Sequence, residues 1–372
     1  MLLFTYGGKL EAWEQYGLID RELGYYEKMF DAGLQHVDLM TYGHGQTERK
    51  INDRFRVLPK KWVNHDLIYS LLAPFAYWGA FRQCDIMKTN QSQGAWVGWL
   101  VKAMMWSKKL VVRCGWVRTE EMMRKDEGRS GINLRWHKLV ERAAFTFANA
   151  IIVVSEIDKD YIVQRYQVCK SKIAIIPNSV DISLYQFDPK YFPATKPKRV
   201  LLIGRLVEMK NFQSVLQAVD GLEEVSEVVI AGDGPYRSEL EEIAAGIGAN
   251  VRFLSAIPNQ SIPDELQKSD IFILPQLYAS GMPKVLLEAM AVGVPVICSD
   301  IPVHRHLVKD GVNGFLCSES ADSIRQILSQ VCSLEESQHR DIVTLARADV
   351  EASHDMKANA QRELALFQSL VA

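Results

Sequence analysis

Residues 201–211 read LLIGRLVEMKN. An apolar run ends at Gly204, and two cations, Arg205 and Lys210, then project from the turn and from the start of the next predicted helix. Further on, Ser280-Gly281-Met282-Pro283 leads into a predicted helix that carries Glu288. A buried strand that stops at a glycine and hands over to a helix is the repeating unit of parallel, doubly wound sheets. Two cations beside a helix amino end suit a diphosphate, because guanidinium, ammonium and helix dipole all favour anionic oxygens. A carboxylate one to two turns along the second helix can accept hydrogen bonds from sugar hydroxyls.

Working outward, the same alternation continues in both directions. Around this stretch, strands are expected at 199–204, 227–231, 250–254, 271–274, 295–298 and 315–317, with helices near 211–220, 235–246, 262–268, 283–292 and 321–332. An earlier series has strands at 1–6, 36–41, 85–88, 109–113, 150–154 and 173–176, with helices at 19–32, 65–82, 94–106 and 133–147. Apolar strands alternating with amphipathic helices form parallel sheets covered on both faces. Two series therefore predict an α/β protein with two doubly wound, Rossmann-like domains facing across a cleft. The break lies in QFDPKYFPATKPKR, residues 186–199, where three prolines and no apolar period mark a linker and a hinge for closure. The expected domains are 1–186 and 187–351, with a C-terminal helix of about 352–372 packing back on the first.

Length agrees with two domains, since 372 residues exceed a single ordinary core. The net charge is 43 − 45 = −2, but residues 1–190 carry 27 − 21 = +6 and residues 191–372 carry 16 − 24 = −8. The positive excess lies in 101–142, with 11 cations against 5 anions, either as a solvated basic face or as a patch for an anionic acceptor or membrane surface. Nothing in this balance points to nucleic acid. The six cysteines are scattered without a Cys-x-x-Cys pair, as expected of reduced thiols in a cytoplasmic protein. The opening MLLFTYGG has neither the basic flank nor the cleavage site of a secretory signal and reads as a first strand. The longest uncharged run, LIYSLLAPFAYWGAF at 67–81, has 15 residues and contains Pro74, too short to span a bilayer.

In a doubly wound sheet, ligands sit outside the carboxyl ends of the strands. Gly204-Arg205, Gly232-Asp233-Gly234-Pro235 and the segment 275–283 all fall at such ends, so three loops should converge on one crevice. Gly281 lets backbone approach a ligand, and Pro283 suits a first helical turn. Asp158-Lys159-Asp160 is formally Asp-x-Asp, a metal-binding pattern, but Ser155 three residues before Asp158 reads better as a helix cap. His44, in Tyr-Gly-His-Gly, is a weak candidate for the crevice; His304 and His306 lack the cysteine or acidic partners that a metal site needs.

These motifs carry a resemblance. IGRLVEMKN, IAGDGP, SDIFILPQ, SGMPKVLLEAMAVGVPVICSD and DGVNGFLC resemble the second domain of the retaining GT-B glycosyltransferases of family 4, and IIVVSEIDKDYI…IAIIPNSVDISLY resembles the end of their first domain. The likeness is strong over 150–318 and weaker over 1–149. It implies a nucleotide diphosphate sugar donor held mainly by the second domain, an acceptor held by the first, retention of configuration, and no metal or other cofactor. It implies that Arg205 and Lys210, with Gly204, contact the diphosphate, that Glu288 binds the ribose, and that backbone amides over Gly281, Met282, Pro283 and Lys284 serve sugar and phosphates. Gly7 and Gly8 match the first-strand loop that approaches the phosphates, and the base would lie near 253–257.

Two departures stand out. The family pairs two glutamates seven residues apart, and here the first position is Ser280, which offers a hydrogen bond but no charge. The family also often has a histidine after the fourth strand of the first domain; the strand here reads LVVRCGW, leaving Arg113 as the nearest candidate for a cationic role, with a structural ion pair as the alternative. Rival readings are a weak or silent member that binds only, suggested by Ser280, and a nucleotide-sugar epimerase, which would need no acceptor. On the acceptor side, 60–82 and 94–109 combine Trp and Tyr with Lys60, Lys61, Arg82, Lys102, Lys108 and Lys109, which suits either core packing or contact with anionic lipid. The expected acceptor is a glycan or lipid-linked precursor of a cell-surface polysaccharide.

Overall fold

The computed structural model describes residues 1–15, 17–46, 51–117, 132–189, 196–278 and 281–372. The chain divides into two compact units, Met1–Pro177 with Lys357–Ala372, and Asn178–Met356. Two parallel sheets, one in each, give the α/β architecture that the alternating pattern predicts.

Unit 1 contains β1 (Leu2–Leu3), β2 (Val37–Met40), β3 (Phe55–Leu58), β4 (Ile86–Thr89), β5 (Lys109–Cys114), β6 (Ala150–Val153) and β7 (Ile173–Ile175). They form one sheet in the order β3-β2-β1-β4-β5-β6-β7. All pairings are parallel, for example Leu3 opposite Met40 on one side and Thr89 on the other. Its helices are α1 (Leu10–Gln15), α2 (Ile19–Asp31), α3 (Asp66–Ala76), α4 (Trp78–Gln83), α5 (Ala95–Met104), α6 (Ile132–Phe147) and α7 (Glu156–Tyr166). Ser155 caps α7 by accepting from the Asp158 amide at 3.2 Å, so Asp158 lies in a helical first turn and Asp160 just beyond it.

The C-terminal helix Met356–Val371 packs on this sheet. Glu363 is buried on it and meets the buried Lys88 of β4 at 2.5 Å. Tyr25 of α2 donates to the same carboxylate at 2.8 Å, and the Lys88 ammonium lies 4.9 Å from the Tyr26 ring centroid. A buried ion pair holds its position only when its remaining polar valences are met, and these tyrosines meet some of them.

Unit 2 contains β8 (Lys198–Ile203), β9 (Val225–Ala231), β10 (Val251–Leu254), β11 (Ile271–Leu274), β12 (Val296–Ser299) and β13 (Phe315–Cys317). Their order is β10-β9-β8-β11-β12-β13, again all parallel. Its helices are α8 (Phe212–Val219), α9 (Arg237–Ala245), α10 (Ile262–Lys268), α11 (Lys284–Val292), α12 (Pro302–Arg305), α13 (Ala321–Cys332) and α14 (Glu336–Ser353). All four residues of β11 are fully buried, which explains its unbroken apolar run. In each sheet the strand order reverses beside the first strand, between β1 and β4 and between β8 and β11. Those reversals are where a doubly wound sheet opens a crevice at its carboxyl edge.

The structure adds two short helices that were not expected, α1 (Leu10–Gln15) and α12 (Pro302–Arg305), and corrects three other elements. β1 has only two residues instead of 1–6, because Thr5–Gly8 turns back on itself. β3 was not expected: FRVL is a short edge strand with an exposed Arg56 that breaks the apolar signal. The expected helix 65–82 is two helices that meet at Tyr77, three residues after Pro74.

Candidate functional site

The site is built on the turn that follows β8. The Gly204 amide donates to Ala231 O at 3.0 Å, carrying the β8–β9 pairing one residue past the strand. Arg205 then faces solvent, and a single 3-10 turn, Glu208–Lys210, brings Lys210 back toward the strand end. A β-carbon on Gly204 would lie 3.4 Å from Lys210 Cε, so the lysine stem runs across the glycine backbone. Asn211 ends that turn with a left-handed φ of 55°, its Nδ2 donating to Glu319 O at 2.9 Å and its Oδ1 accepting from Ser214. Burial, with the Arg205 charge as second cause, pulls the Lys210 ammonium down to about 8. A half-buried cation destabilised in this way gains more from an incoming anion than a solvated one does.

Two further loops lock against this turn. Leu206 N donates to Asp233 O at 2.9 Å, and Tyr236 N to Leu206 O at 3.0 Å. A β-carbon on Gly232, where φ is +150°, would lie 1.9 Å from Gly204 O; one on Gly234 would lie 2.1 Å from Leu206 O. The glycines of Gly-Asp-Gly are thus required by the close approach of two main chains. The same loop reaches the segment after β10: Gly232 N donates to Leu254 O at 3.2 Å, and Ala256 N to Asp233 Oδ2 at 3.3 Å. From the other side, Leu277 N donates to Met209 O at 3.1 Å and ties the segment after β11 to the Lys210 turn.

That segment leads to α11. Ser280, with Ala279, lies outside the described residues. Gly281 is half-buried, Met282 is buried, and Met282 O accepts from Asn178 Nδ2 at 2.8 Å. Pro283 has no N–H and forms the amino cap of α11, so the amide donors of 281–284 belong to Gly281, Met282 and Lys284. Glu288 sits in the middle of α11 and is 2 % exposed. Arg347 donates to Ala291 O at 2.8 Å and to Tyr185 O at 2.6 Å, bracing the last turn of that helix from α14.

Beneath the turn lies a buried polar pair that sequence reasoning missed. His304 is fully buried, and its Nδ1 contacts Ser299 O at 2.8 Å while its Nε2 is 3.3 Å from the Gln276 side chain. Burial pulls this imidazole down to about 4; the Ser299 carbonyl opposes the shift and the Lys210 charge adds to it. The atom facing Nε2 is Gln276 Oε1. A neutral ring that donates from Nδ1 can only accept at Nε2, so a hydrogen bond to this side chain requires the Gln276 amide in the flipped orientation, with its nitrogen toward the ring. Asn178, Asn211 and Gln276 were also missed, although all three are polar residues at the edges of apolar runs, where site-positioning side chains concentrate.

In unit 1, Gly7 and Gly8 form a tight turn at the carboxyl end of β1. Gly7 has φ of +74°, and Gly8 N donates to Thr5 O at 2.7 Å. A β-carbon on Gly7 would lie 3.4 Å from Asp66 Oδ2, at the first residue of α3, and Asp66 pairs with Lys60 at 2.7 Å. His44 is exposed, in a loop held by Gly45 N donating to Glu11 Oε1 at 2.7 Å. Arg113 lies next to the end of β5, its amide donating to Thr89 Oγ1 at 3.2 Å. Its charge is felt by Lys88, Tyr25 and Tyr26, which sets it beside the Lys88–Glu363 network. In sum, unit 2 gathers Gly204, Arg205 and Lys210 with the loops after β9 and β11 at one strand edge, with Glu288 on the helix that follows; Gly7, Gly8 and Arg113 occupy the carboxyl edge of unit 1.

Known proteins resemble this chain in sequence and in fold. Residues 186–348 match the family Glycosyl transferases group 1, and residues 32–184 match Glycosyltransferase Family 4. A putative teichuronic acid biosynthesis glycosyltransferase, TuaC of Bacillus subtilis, is 37 % identical over 28 % of this chain and 27 % of its own length. The Escherichia coli UDP-Gal:alpha-D-GlcNAc-diphosphoundecaprenol alpha-1,3-galactosyltransferase is 30 % identical over 48 % of this chain and 50 % of its own. The match thus spans half the length or less of these two curated relatives. The crystal structure of Anabaena HepE in complex with UDP and glucose superposes over 99 % of both chains with a TM-score of 0.76 at 19 % identity, which shows a shared fold. On the evidence of both halves, the chain belongs to the GT-B glycosyltransferases, family 4 in its first half and group 1 in its second.

Proposed function

We propose that this protein is a retaining glycosyltransferase. It takes a sugar from a nucleotide diphosphate sugar and passes it to a glycan or lipid-linked precursor of a cell-surface polysaccharide. The observation that carries this reading is the joining of three loops of unit 2 around the Gly204–Lys210 turn, with Lys210 destabilised by burial. The relatives support it: one is named for transfer from UDP-Gal to a diphosphoundecaprenol-linked sugar, and a neighbour of the same fold was crystallised with UDP and glucose.

In this mechanism Arg205 and Lys210 bind the donor diphosphate and neutralise the charge that grows on it as the glycosidic bond breaks. The amino end of α11 adds amide donors and its dipole. Glu288 accepts from the ribose hydroxyls. A phosphate oxygen of the donor takes the acceptor's proton, so no protein base is needed, and the charge neutralisation assigned to Arg205 and Lys210 leaves no role for a metal. Ser280, in the place of the family's first glutamate, offers the donor sugar one hydroxyl where a carboxylate would bring charge, which fits a different choice of sugar. The acceptor side belongs to unit 1, on the cytoplasmic face of an anionic membrane.

A melting-temperature screen against UDP-, GDP- and ADP-sugars tests the donor half, because a ligand that binds only the folded state raises its melting point. The expected result is a rise with one nucleotide class, UDP first, followed by acceptor-dependent turnover with that donor. No shift with any nucleotide sugar contradicts the reading. Binding without transfer or hydrolysis favours a binding subunit, and donor conversion without acceptor favours an epimerase.

A further inference from the structure

The outer face of α3 inverts the usual pattern of a surface helix. Tyr69, Ser70, Ala73 and Pro74 point into unit 1 and are buried. Leu67, Ile68, Leu71, Leu72 and Phe75 point outward and are 46–64 % exposed. Positions i, i+1, i+4, i+5 and i+8 form one continuous stripe, so these side chains make a single apolar ridge. Trp78 at the start of α4 extends it, and Trp62, with a left-handed φ of 65°, stands 78 % exposed just before α3. α5 packs beside α3, and the exposed Met104 and Trp106 stand at its far end. Leaving this many large apolar groups in water is unfavourable, and such a patch marks a surface that is covered in use.

Its electrostatic setting identifies the cover. From Lys60 to Val117 the chain has eight Lys and Arg residues and two acidic ones, Asp66 and Asp85; of the eight, Lys88 is buried against Glu363 and adds nothing to the surface. Asp66 is already paired with Lys60. Lys61 and Arg82 are exposed at the two ends of the α3–α4 stretch. Lys102 and Lys108 are anchored by main-chain carbonyls, Lys102 on Phe147 O at 2.9 Å and Lys108 on Arg82 O at 2.7 Å and Cys84 O at 2.8 Å, which fixes their charge within this layer. An apolar ridge with tryptophans and flanking cations has the composition of a helix that lies in the plane of a bilayer surface.

We infer that the α3–α4 face, with Trp62 and the end of α5, docks unit 1 on an anionic lipid bilayer. The ridge enters the boundary between headgroups and acyl chains, and Lys61 and Arg82 meet lipid phosphates. This deepens the proposed function, since it places the acceptor half at the surface where a lipid-linked glycan is found.

The test is co-sedimentation of the full chain with vesicles of phosphatidylglycerol and phosphatidylcholine, and of phosphatidylcholine alone, at low salt. The wild type is expected to bind the anionic vesicles. Leu71→Ser/Phe75→Ser should weaken that binding at least about tenfold, and Lys61→Gln/Arg82→Gln about tenfold on anionic vesicles only. Both variants should keep the wild-type melting temperature, because the altered side chains are exposed. No wild-type binding, or equal binding by Leu71→Ser/Phe75→Ser, overturns the inference. So does a wild-type dimer in solution that this variant dissociates, which would make the ridge a contact between copies. The donor screen separates the two claims: vesicle binding without any nucleotide-sugar response would refute the function and leave the docking surface standing.

Discussion

In unit 2 the turn after the first strand is held by main chain on two sides, Leu206 with Asp233 and Tyr236, and Met209 with Leu277. In unit 1 the matching turn after β1, Thr5–Gly8, is tied to a neighbouring loop by a single main-chain bond, Tyr42 N donating to Gly8 O at 3.0 Å, and otherwise meets side chains: Thr41 Oγ1, which donates to the same carbonyl, and Asp66, which Lys60 holds. Unit 2 presents an edge of interlocked glycine loops around one desolvated lysine. Unit 1 presents charged side chains on its edge and an apolar ridge on an outer helix. A rigid main-chain cradle suits the part of a ligand that does not vary among substrates, as the diphosphate of nucleotide-sugar donors does not. Side-chain surfaces can be altered with little damage to the fold, which suits the half that recognises a variable acceptor.

The strongest way to break this contrast is to add volume where unit 2 has none. Gly234→Val would drive side-chain atoms into Leu206 O, already 2.1 Å from a β-carbon at that position. Something in the backbone must shift, so we expect a loss of about 2–3 kcal/mol in denaturant unfolding and no measurable donor binding. By contrast, Leu71→Ser/Phe75→Ser on the outer ridge of unit 1 should leave donor affinity within twofold or so of wild type. Equal donor affinity in both variants would erase the distinction between cradle and surface.

A smaller effect sharpens it through pH. Lys210 titrates at about 8 in the folded protein against 10.5 ordinarily. Between these values the unfolded chain binds the extra proton, so this group alone makes the unliganded protein more stable as pH rises from 8 to 10.5. Donor binding needs the charged form and should move the opposite way. Affinity for a nucleotide sugar is expected to fall about tenfold between pH 7 and pH 9. A flat affinity profile, measured by calorimetry in buffers of equal ionic strength, would remove Lys210 from the phosphate site.

How much of this could be read from the chain follows the same division. The unit 2 strands run VLLI, EVVIA and IFIL without interruption, and their glycine-ended turns place Arg205 and Lys210 directly. In unit 1, β3 was hidden because Arg56 reaches out to Asp38 and breaks the run. The division of α3 from α4 at Tyr77 was hidden as well, because a proline near a helix end allows either a kink or a stop. The ridge on α3 was legible as apolar residues but could not be told from core, since spacing alone does not say which face meets the sheet. His304 and Gln276 were out of reach for a different reason. They are 28 residues apart and meet only because the segments after β11 and β12 lie side by side.

Lys210 and its turn are the proposed seat of the diphosphate. Calorimetric titration of UDP and of a UDP-sugar into wild type and Lys210→Ala, with melting curves to confirm that both are folded, tests it most directly. We expect the substitution to weaken both nucleotides at least about tenfold while the protein stays folded. Unchanged affinity in a folded Lys210→Ala protein would mean that the diphosphate does not sit at this turn.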